Sequence, residues 1–216
     1  MKDIVQKWYE DKKNVDGMVH WNKGKLKKWE QEVAGHFPKD ANILDVGCGM
    51  GREAFALCDM GFSITGIDIS AEVIKQVTQL SMQNGYDIPF LLYDGHTLPF
   101  DDATFEAVII WAQTFGIMHG DAYKRDFLIE CKRVLKKDGL LSFSGHDYRF
   151  EMEHYQKYMN GRKFYPYADA EIYWETFLPE ELTGYAQSAG FSVMLCEQGE
   201  IYKPEDGIVL HCLCKK

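Results

Sequence analysis

The sequence predicts an α/β fold, a doubly wound and mostly parallel sheet with helices on both faces. Three observations carry this. Short apolar runs at Ile43–Val46, Phe62–Ile67, Phe90–Tyr93, Phe105–Trp111 and Leu140–Ser144 alternate with segments amphipathic at helical spacing. The first run breaks into Gly47-Cys48-Gly49-Met50-Gly51, with glycine at alternate positions, before a helical pattern begins. The second run ends in Asp68, about 20 residues after those glycines start, where a ribose-binding carboxylate belongs in a nucleotide-binding βαβ unit.

The length of 216 residues suits one well-buried α/β domain, read here as a single unit over 1–216. A net charge of −9 argues against a general nucleic-acid binder, which would show a basic domain. No apolar run approaches the 18 or so residues of a membrane span, and the N-terminus lacks the apolar core of a signal peptide. Cysteines at 48, 58, 131, 196, 212 and 214 are scattered through apolar stretches, as expected of buried thiols in a reducing cytoplasm.

Residues 1–40 show no strand pattern and read as a helical cover. Ile4, Val5, Trp8 and Tyr9 share one helical face and Leu26, Trp29 and Val33 another, predicting two helices joined around Asn14–Asn22. Lys23, Lys25, Lys27 and Lys28 read as a solvated face, and Tyr9, Trp21 and Trp29 as either lid or packing residues. After the glycine turn, Ala54, Phe55, Leu57 and Cys58 mark a helix. Asp68 is followed by Ser70-Ala71-Glu72, an N-cap pattern, and Ser70 fills the cap position, which leaves Asp68 for a ligand. The next helix carries Val73, Ile74 and Val77 and stops near Asn84-Gly85. The third strand ends at Asp94-Gly95, with His96 close behind.

Leu98–Ala103 is a turn back into the fourth strand, which runs into Trp111-Ala112-Gln113-Thr114. A helix over Tyr123–Leu135 is expected to close at Lys136-Lys137-Asp138-Gly139, cations and a glycine suiting its C-terminus. The fifth strand leads to Gly145-His146-Asp147. Residues 148–177 then hold ten aromatics without a dominant strand or helix period and read as an inserted lid, or alternatively a fixed cap. Leu178-Pro179-Glu180-Glu181-Leu182 opens the last helix, and strands at Ser192–Cys196 and Gly207–Cys214 finish the chain. Cys212 and Cys214 share a strand face, which reads as packing, and no metal site is expected.

The dinucleotide fingerprint needs glycine or alanine at its sixth position, and Arg52 stands there. Instead, Asp45-Val46-Gly47-Cys48-Gly49-Met50-Gly51 followed by Gly66-Ile67-Asp68-Ile69-Ser70 resembles the class I S-adenosylmethionine-dependent methyltransferases. Asp94-Gly95, Leu98-Pro99-Phe100-Asp101, Phe105-Glu106-Ala107-Val108-Ile109 and Arg133-Val134-Leu135-Lys136-Lys137-Asp138-Gly139 lie in that family's order, over roughly residues 41–145. The resemblance implies a Rossmann-like seven-stranded sheet with an antiparallel C-terminal edge, a cofactor-binding core over 41–147 and a C-terminal helix and strands over 178–216.

It also implies S-adenosylmethionine as cofactor and a small molecule as methyl acceptor. Asp45 would orient the glycine turn or reach the cofactor's amino group, Gly47, Cys48, Gly49 and Gly51 would give main-chain access, Asp68 with Ile69 would hold the ribose, and Asp94 and Gly95 the adenine. His96 and Trp111 would lie nearby, and Arg52 would bind a carboxylate or make a surface salt bridge. His146 and His119 follow strand ends on the active rim and are the candidate general bases, or else structural histidines. A base-modifying signature of the Asn-Pro-Pro-Tyr type is missing after the fourth strand, which disfavours nucleic-acid bases. The alternatives are a protein methyltransferase, a non-catalytic binding protein and, less favoured, a nicotinamide-dependent reductase.

Overall fold

The computed structural model describes residues 2–19, 25–158, 164–167, 172–200 and 208–216, with backbone alone at 2, 3, 19, 158, 164–167, 172 and 173. Strands β1 (Asn42–Val46), β2 (Ser63–Asp68), β3 (Phe90–Leu92), β4 (Phe105–Ile110) and β5 (Leu135–Asp147) are parallel, in the order β3-β2-β1-β4-β5. Beyond β5 lie β9 (Ile208–Lys215), antiparallel, and then β8 (Ser192–Glu200), antiparallel to β9. This is the expected seven-stranded sheet, with its antiparallel strand one position in from the edge. The chain adds β3 and β2 on one side of β1 and then restarts on the other side with β4. The reversal opens a crevice between β1 and β4, where doubly wound sheets take ligands.

Alternation along the strands explains the two layers. Leu44, Val46, Val108 and Ile110 face a core with Phe127, Leu128 and Cys131 of α7 (Asp121–Val134) and Leu182 and Ala186 of α9 (Pro179–Ser188). Ile43, Ala107 and Ile109 face the opposite core, with Trp29 and Val33 of α3 (Lys28–Ala34), Ala54 and Leu57 of α4 (Arg52–Asp59) and Val77 of α5 (Ala71–Gln83).

Four departures from expectation have local causes. The N-terminal segment breaks at Asp11, giving α1 (Lys2–Glu10) and α2 (Lys12–Val19), so Asn14–Val19 is helix rather than joint; Trp21 and Lys23 lie outside the described residues. Lys27 is buried beside Glu30 (3.8 Å) instead of joining a solvated face. Helix α7 passes directly into β5 at Leu135, so Lys136–Gly139 belongs to the strand; Asp138 is left-handed (φ 64°), and a Cβ at Gly139 would sit 2.9 Å from the Lys136 carbonyl. Residues 148–177 contain α8 (Tyr148–His154), a 3₁₀ turn (Gln156–Tyr158) and a hairpin of β6 (Phe164–Tyr167) and β7 (Ile172–Phe177).

The hairpin's attachment positions the site. β7 pairs in parallel with β5 at His146 and Asp147, and β9 occupies one edge of β5 as far as His146. Because a strand has two edges, β7 takes the edge that β4 uses further back. The hairpin therefore continues the sheet past the end of β4, over the carboxyl rim.

Candidate active site

A cavity of about 640 Å³ opens at that rim. This lies within the roughly 300–1,000 Å³ of small-molecule sites. Its floor is the turn after β1. Gly47 (φ 71°) and Cys48 both donate to the Ile67 carbonyl, at 2.8 and 3.0 Å, tying the turn to β2. A Cβ on Gly47 would stand 2.6 Å from the Thr114 side chain. At Gly49 (φ 49°) only Met18 approaches such a Cβ, at 3.4 Å, so the main chain there is open to the cavity.

Asp68, buried at the end of β2, lines the cavity. Its carboxylate accepts from Gly49 N (3.2 Å) and Ser70 N (3.0 Å). Burial pushes its pKa up to about 6, and the N–H groups of Ser70, Gly49 and Ile69 oppose the rise. Ser70 caps α5 by accepting from Val73 N at 3.1 Å, as its sequence position implied.

Of the other candidates, Gly47, Cys48, Gly49, Arg52, Ile69, His96 and His119 also line the cavity. Asp45 lies behind the turn, buried, and its Oδ2 has no hydrogen-bond partner among the described residues. Burial, with Glu53 adding and Arg52 opposing, holds its carboxyl well above the usual range. Arg52 grips Glu30 of α3 with both arms (2.7 and 2.8 Å) and also pairs with Glu53, so its guanidinium clamps the N-terminal region to the turn.

Seven residues expected at or near the site are placed outside the cavity wall, some on an alternative already open to them and the others as corrections. Asp45 is not in the wall. Gly51 (φ 77°) is bare because a Cβ there would press on Phe55 and Val77 at 3.0 Å. Asp94 is exposed and accepts from His96 N and Thr97 N, closing its own turn instead of facing the cavity. Gly95 stays outside the wall and offers its carbonyl to the Tyr123 hydroxyl. Trp111 is core: its indole donates to Ser142 Oγ (2.8 Å) and packs edge-on against Trp29. His146 sits beside Glu151 (3.2 Å) and the Trp174 ring, and only Trp174 reaches the cavity. Trp29 is likewise core, stacked on His211 at 4.6 Å, and Gly199 leaves it room.

Several wall residues carry no motif that singles them out in the sequence. Val5 and Met18, with Tyr9, bring the N-terminal helices over the cavity; Tyr93 and Tyr123 enclose the end beyond β3; Trp174 comes from the hairpin. Burial, reinforced by Asp94, pushes the Tyr123 phenol up to about 12. Ala112 (φ 49°) and Gln113 (φ 61°) form a left-handed pair after β4, unusual for residues other than glycine. Nothing in their side chains announces it.

A bare glycine turn and a buried strand-end acid facing one crevice define a nucleotide-cofactor domain of the doubly wound class. Residues 43–139 match the family model described as a methyltransferase domain. This central segment, a little under half of the chain, is thus similar to methyltransferase domains. It is 31% identical over 122 residues to the putative methyltransferase YqeM of Bacillus subtilis, covering 55% of this chain and 48% of that protein. It is 35% identical over 105 residues to the 2-methyl-6-phytyl-1,4-hydroquinone methyltransferase of Synechocystis, covering 48% of this chain and 31% of that one. The chain thus spans about half the length of the first and a third of the second. The solved structure of an S-adenosylmethionine-dependent methyltransferase from Methanosarcina mazei shares the fold, with TM-score 0.75 and 20% identity over 86% of this chain and 96% of that one. No helix among the described residues is long and apolar enough to cross a membrane.

Proposed function

We propose that this chain transfers a methyl group from S-adenosylmethionine to a small-molecule acceptor seated in the same cavity. The observation that carries the reading is the pairing of Asp68 with the open main chain of Gly49 on the floor of a 640 Å³ hollow at the β1/β4 reversal. The N-terminal helices covering that hollow favour a small acceptor over a peptide. All six cysteines are free thiols, which supports a reducing, cytoplasmic setting.

In this reading Asp68 accepts from the ribose hydroxyls, the Gly47–Gly49 main chain lies along the methionine portion, and Tyr93, His96 and Tyr123 enclose the adenine. Asp45 supports the turn from behind. S-adenosylmethionine, when bound, supplies an already electrophilic methyl group. What remains for the protein is to align the acceptor and exclude water, and alignment alone lowers a barrier by about 7–11 kcal/mol. His119, half-buried in the wall, is the group placed to take a proton from an acceptor hydroxyl, thiol or ammonium. His146, outside the wall, has no such role.

Calorimetry with S-adenosylhomocysteine tests the cofactor assignment. Each charge-assisted hydrogen bond contributes about 1.5–3 kcal/mol, so Asp68→Ala is expected to weaken binding about a hundred-fold. Affinity unchanged within a factor of two would remove the ribose assignment. Labelled S-adenosylmethionine incubated with a metabolite extract then reads methyl transfer itself.

A further inference from the structure

The chemical class of the acceptor is legible in the charges of the cavity wall. Arg52 is the only lysine or arginine lining it among the described residues, and both its arms are held by Glu30, with Glu53 on one of them. The remaining formal charges in the wall belong to Glu53 and Asp68. Among the described residues an acceptor carboxylate or phosphate would lose its water here and meet two acids and a guanidinium already engaged by Glu30 and Glu53, a costly arrangement at low dielectric. A cationic acceptor would stand next to the donor's own sulfonium charge, a repulsion that grows as water is excluded.

The roof is built from Val5, Tyr9, Met18, Ile117 and Trp174, a surface suited to a flat apolar body. Among the described residues several polar side chains of the wall make no hydrogen bond, those of Tyr93, His96 and Thr114 as well as Gln113. The Gln113 carboxamide makes no hydrogen bond among the described residues, although its residue is half-buried. The backbone that presents it is left-handed at two successive positions, Ala112 and Gln113, a conformation that residues other than glycine seldom adopt.

We propose that the acceptor is an uncharged, planar molecule, its apolar body under Tyr9 and Trp174 and its polar edge hydrogen-bonded by the Gln113 carboxamide. This rests on the methyl-transfer reading of the same cavity.

The test uses the full chain saturated with S-adenosylhomocysteine and two probes built on one ring system, 2-naphthol and 2-naphthoate, titrated by calorimetry. Naphthol is expected to bind at least ten-fold more tightly than naphthoate. Gln113→Leu, and Gln113→Asn, which tolerates the left-handed backbone, are each expected to weaken naphthol about five-fold and to leave S-adenosylhomocysteine within two-fold. Naphthoate binding as tightly as naphthol, neither probe binding, or both variants binding naphthol as the parent chain does would each overturn the proposal. If S-adenosylhomocysteine itself does not bind, the cofactor reading falls, and the same probes titrated on the protein alone decide the acceptor class by the same ratios.

Discussion

The floor and the roof of the cavity are built in opposite ways. The floor comes from one stretch of chain, residues 45–70, and works through backbone: left-handed glycines, N–H groups and a strand-end acid. The roof is gathered from α1, α2, the turn after β4 and the β6–β7 hairpin, and works through side chains. A floor fixed by main-chain geometry tolerates few substitutions but needs no distant support. A roof assembled from remote segments depends on whatever bolts them to the sheet.

One such bolt is the Lys124–Glu175 ion pair, with both side chains buried. The Lys124 ammonium also lies 5.6–5.8 Å from the ring centres of Phe115, Phe177 and Tyr185. It joins α7 to β7, and its chain neighbours Tyr123 and Trp174 line the cavity. Lys124→Met is expected to destabilise the fold by about 3–5 kcal/mol, because Glu175 keeps its burial and loses this counter-charge. Adding Glu175→Leu should recover most of that loss in chemical denaturation. A double variant no more stable than the single one would show that the roof is held elsewhere.

Gly47→Ala strikes the floor. It combines a positive φ, disfavoured by roughly 1–2 kcal/mol for other residues, with a Cβ 2.6 Å from Thr114. Overpacking adds about 1–3 kcal/mol. A loss of about 2–5 kcal/mol is expected, and Thr114→Ser, which removes the methyl, should return part of it. Equal loss with and without Thr114→Ser would place the whole effect in the backbone.

This contrast also explains what was readable in advance. Gly47, Gly49 and Asp68 could be assigned because the sheet's polarity puts every strand end on one rim and only glycine suits the turn. Asp94 misled, since a strand-end acid can close its own Asx turn, and spacing does not distinguish the two uses. The six-residue strand β7 was obscured because its aromatics also serve a cap, and a pairing of two residues with β5 leaves no periodic mark. Gln113 was invisible as a special position because a left-handed glutamine has no composition signal. Lys27 read as a surface charge because nothing in its own stretch shows that Glu30, which Arg52 also grips, takes it into the interior.

A weaker contrast is chemical. The Asp68 carboxyl, at about 6, is ionised above that pH and protonated below it. If ribose hydroxyls donate to it, S-adenosylhomocysteine affinity should be flat above pH 7 and fall as pH drops through 6, by about ten-fold near pH 5. Asp68→Asn should bind weakly and lose this pH dependence. Calorimetric titration from pH 5 to 8 separates the cases, and a parent chain with constant affinity would mean the acid does not touch the ligand.

The smallest effect probes whether the roof moves. Helix α5 begins with orphan N–H groups, and the chain divides them. Ser70 serves Val73, while Glu10 of α1 accepts from Ala71 N at 2.9 Å and Glu72 N at 3.4 Å. Ser70 Oγ also donates to the Tyr9 carbonyl (2.8 Å), and Gln6 reaches the Ile69 carbonyl (3.2 Å). Thus α1 is fastened to the helix start that follows Asp68, and loosening it should open the roof without touching the floor. Glu10→Ala is expected to cost only about 0.5–1 kcal/mol, the worth of an exposed cap at a helix N-terminus. Its larger signature should be kinetic: S-adenosylhomocysteine should dissociate several-fold faster in stopped-flow fluorescence while Asp68 still sets the affinity. If dissociation keeps the parent rate, α1 is a fixed wall, and the ligand must enter by the hairpin side.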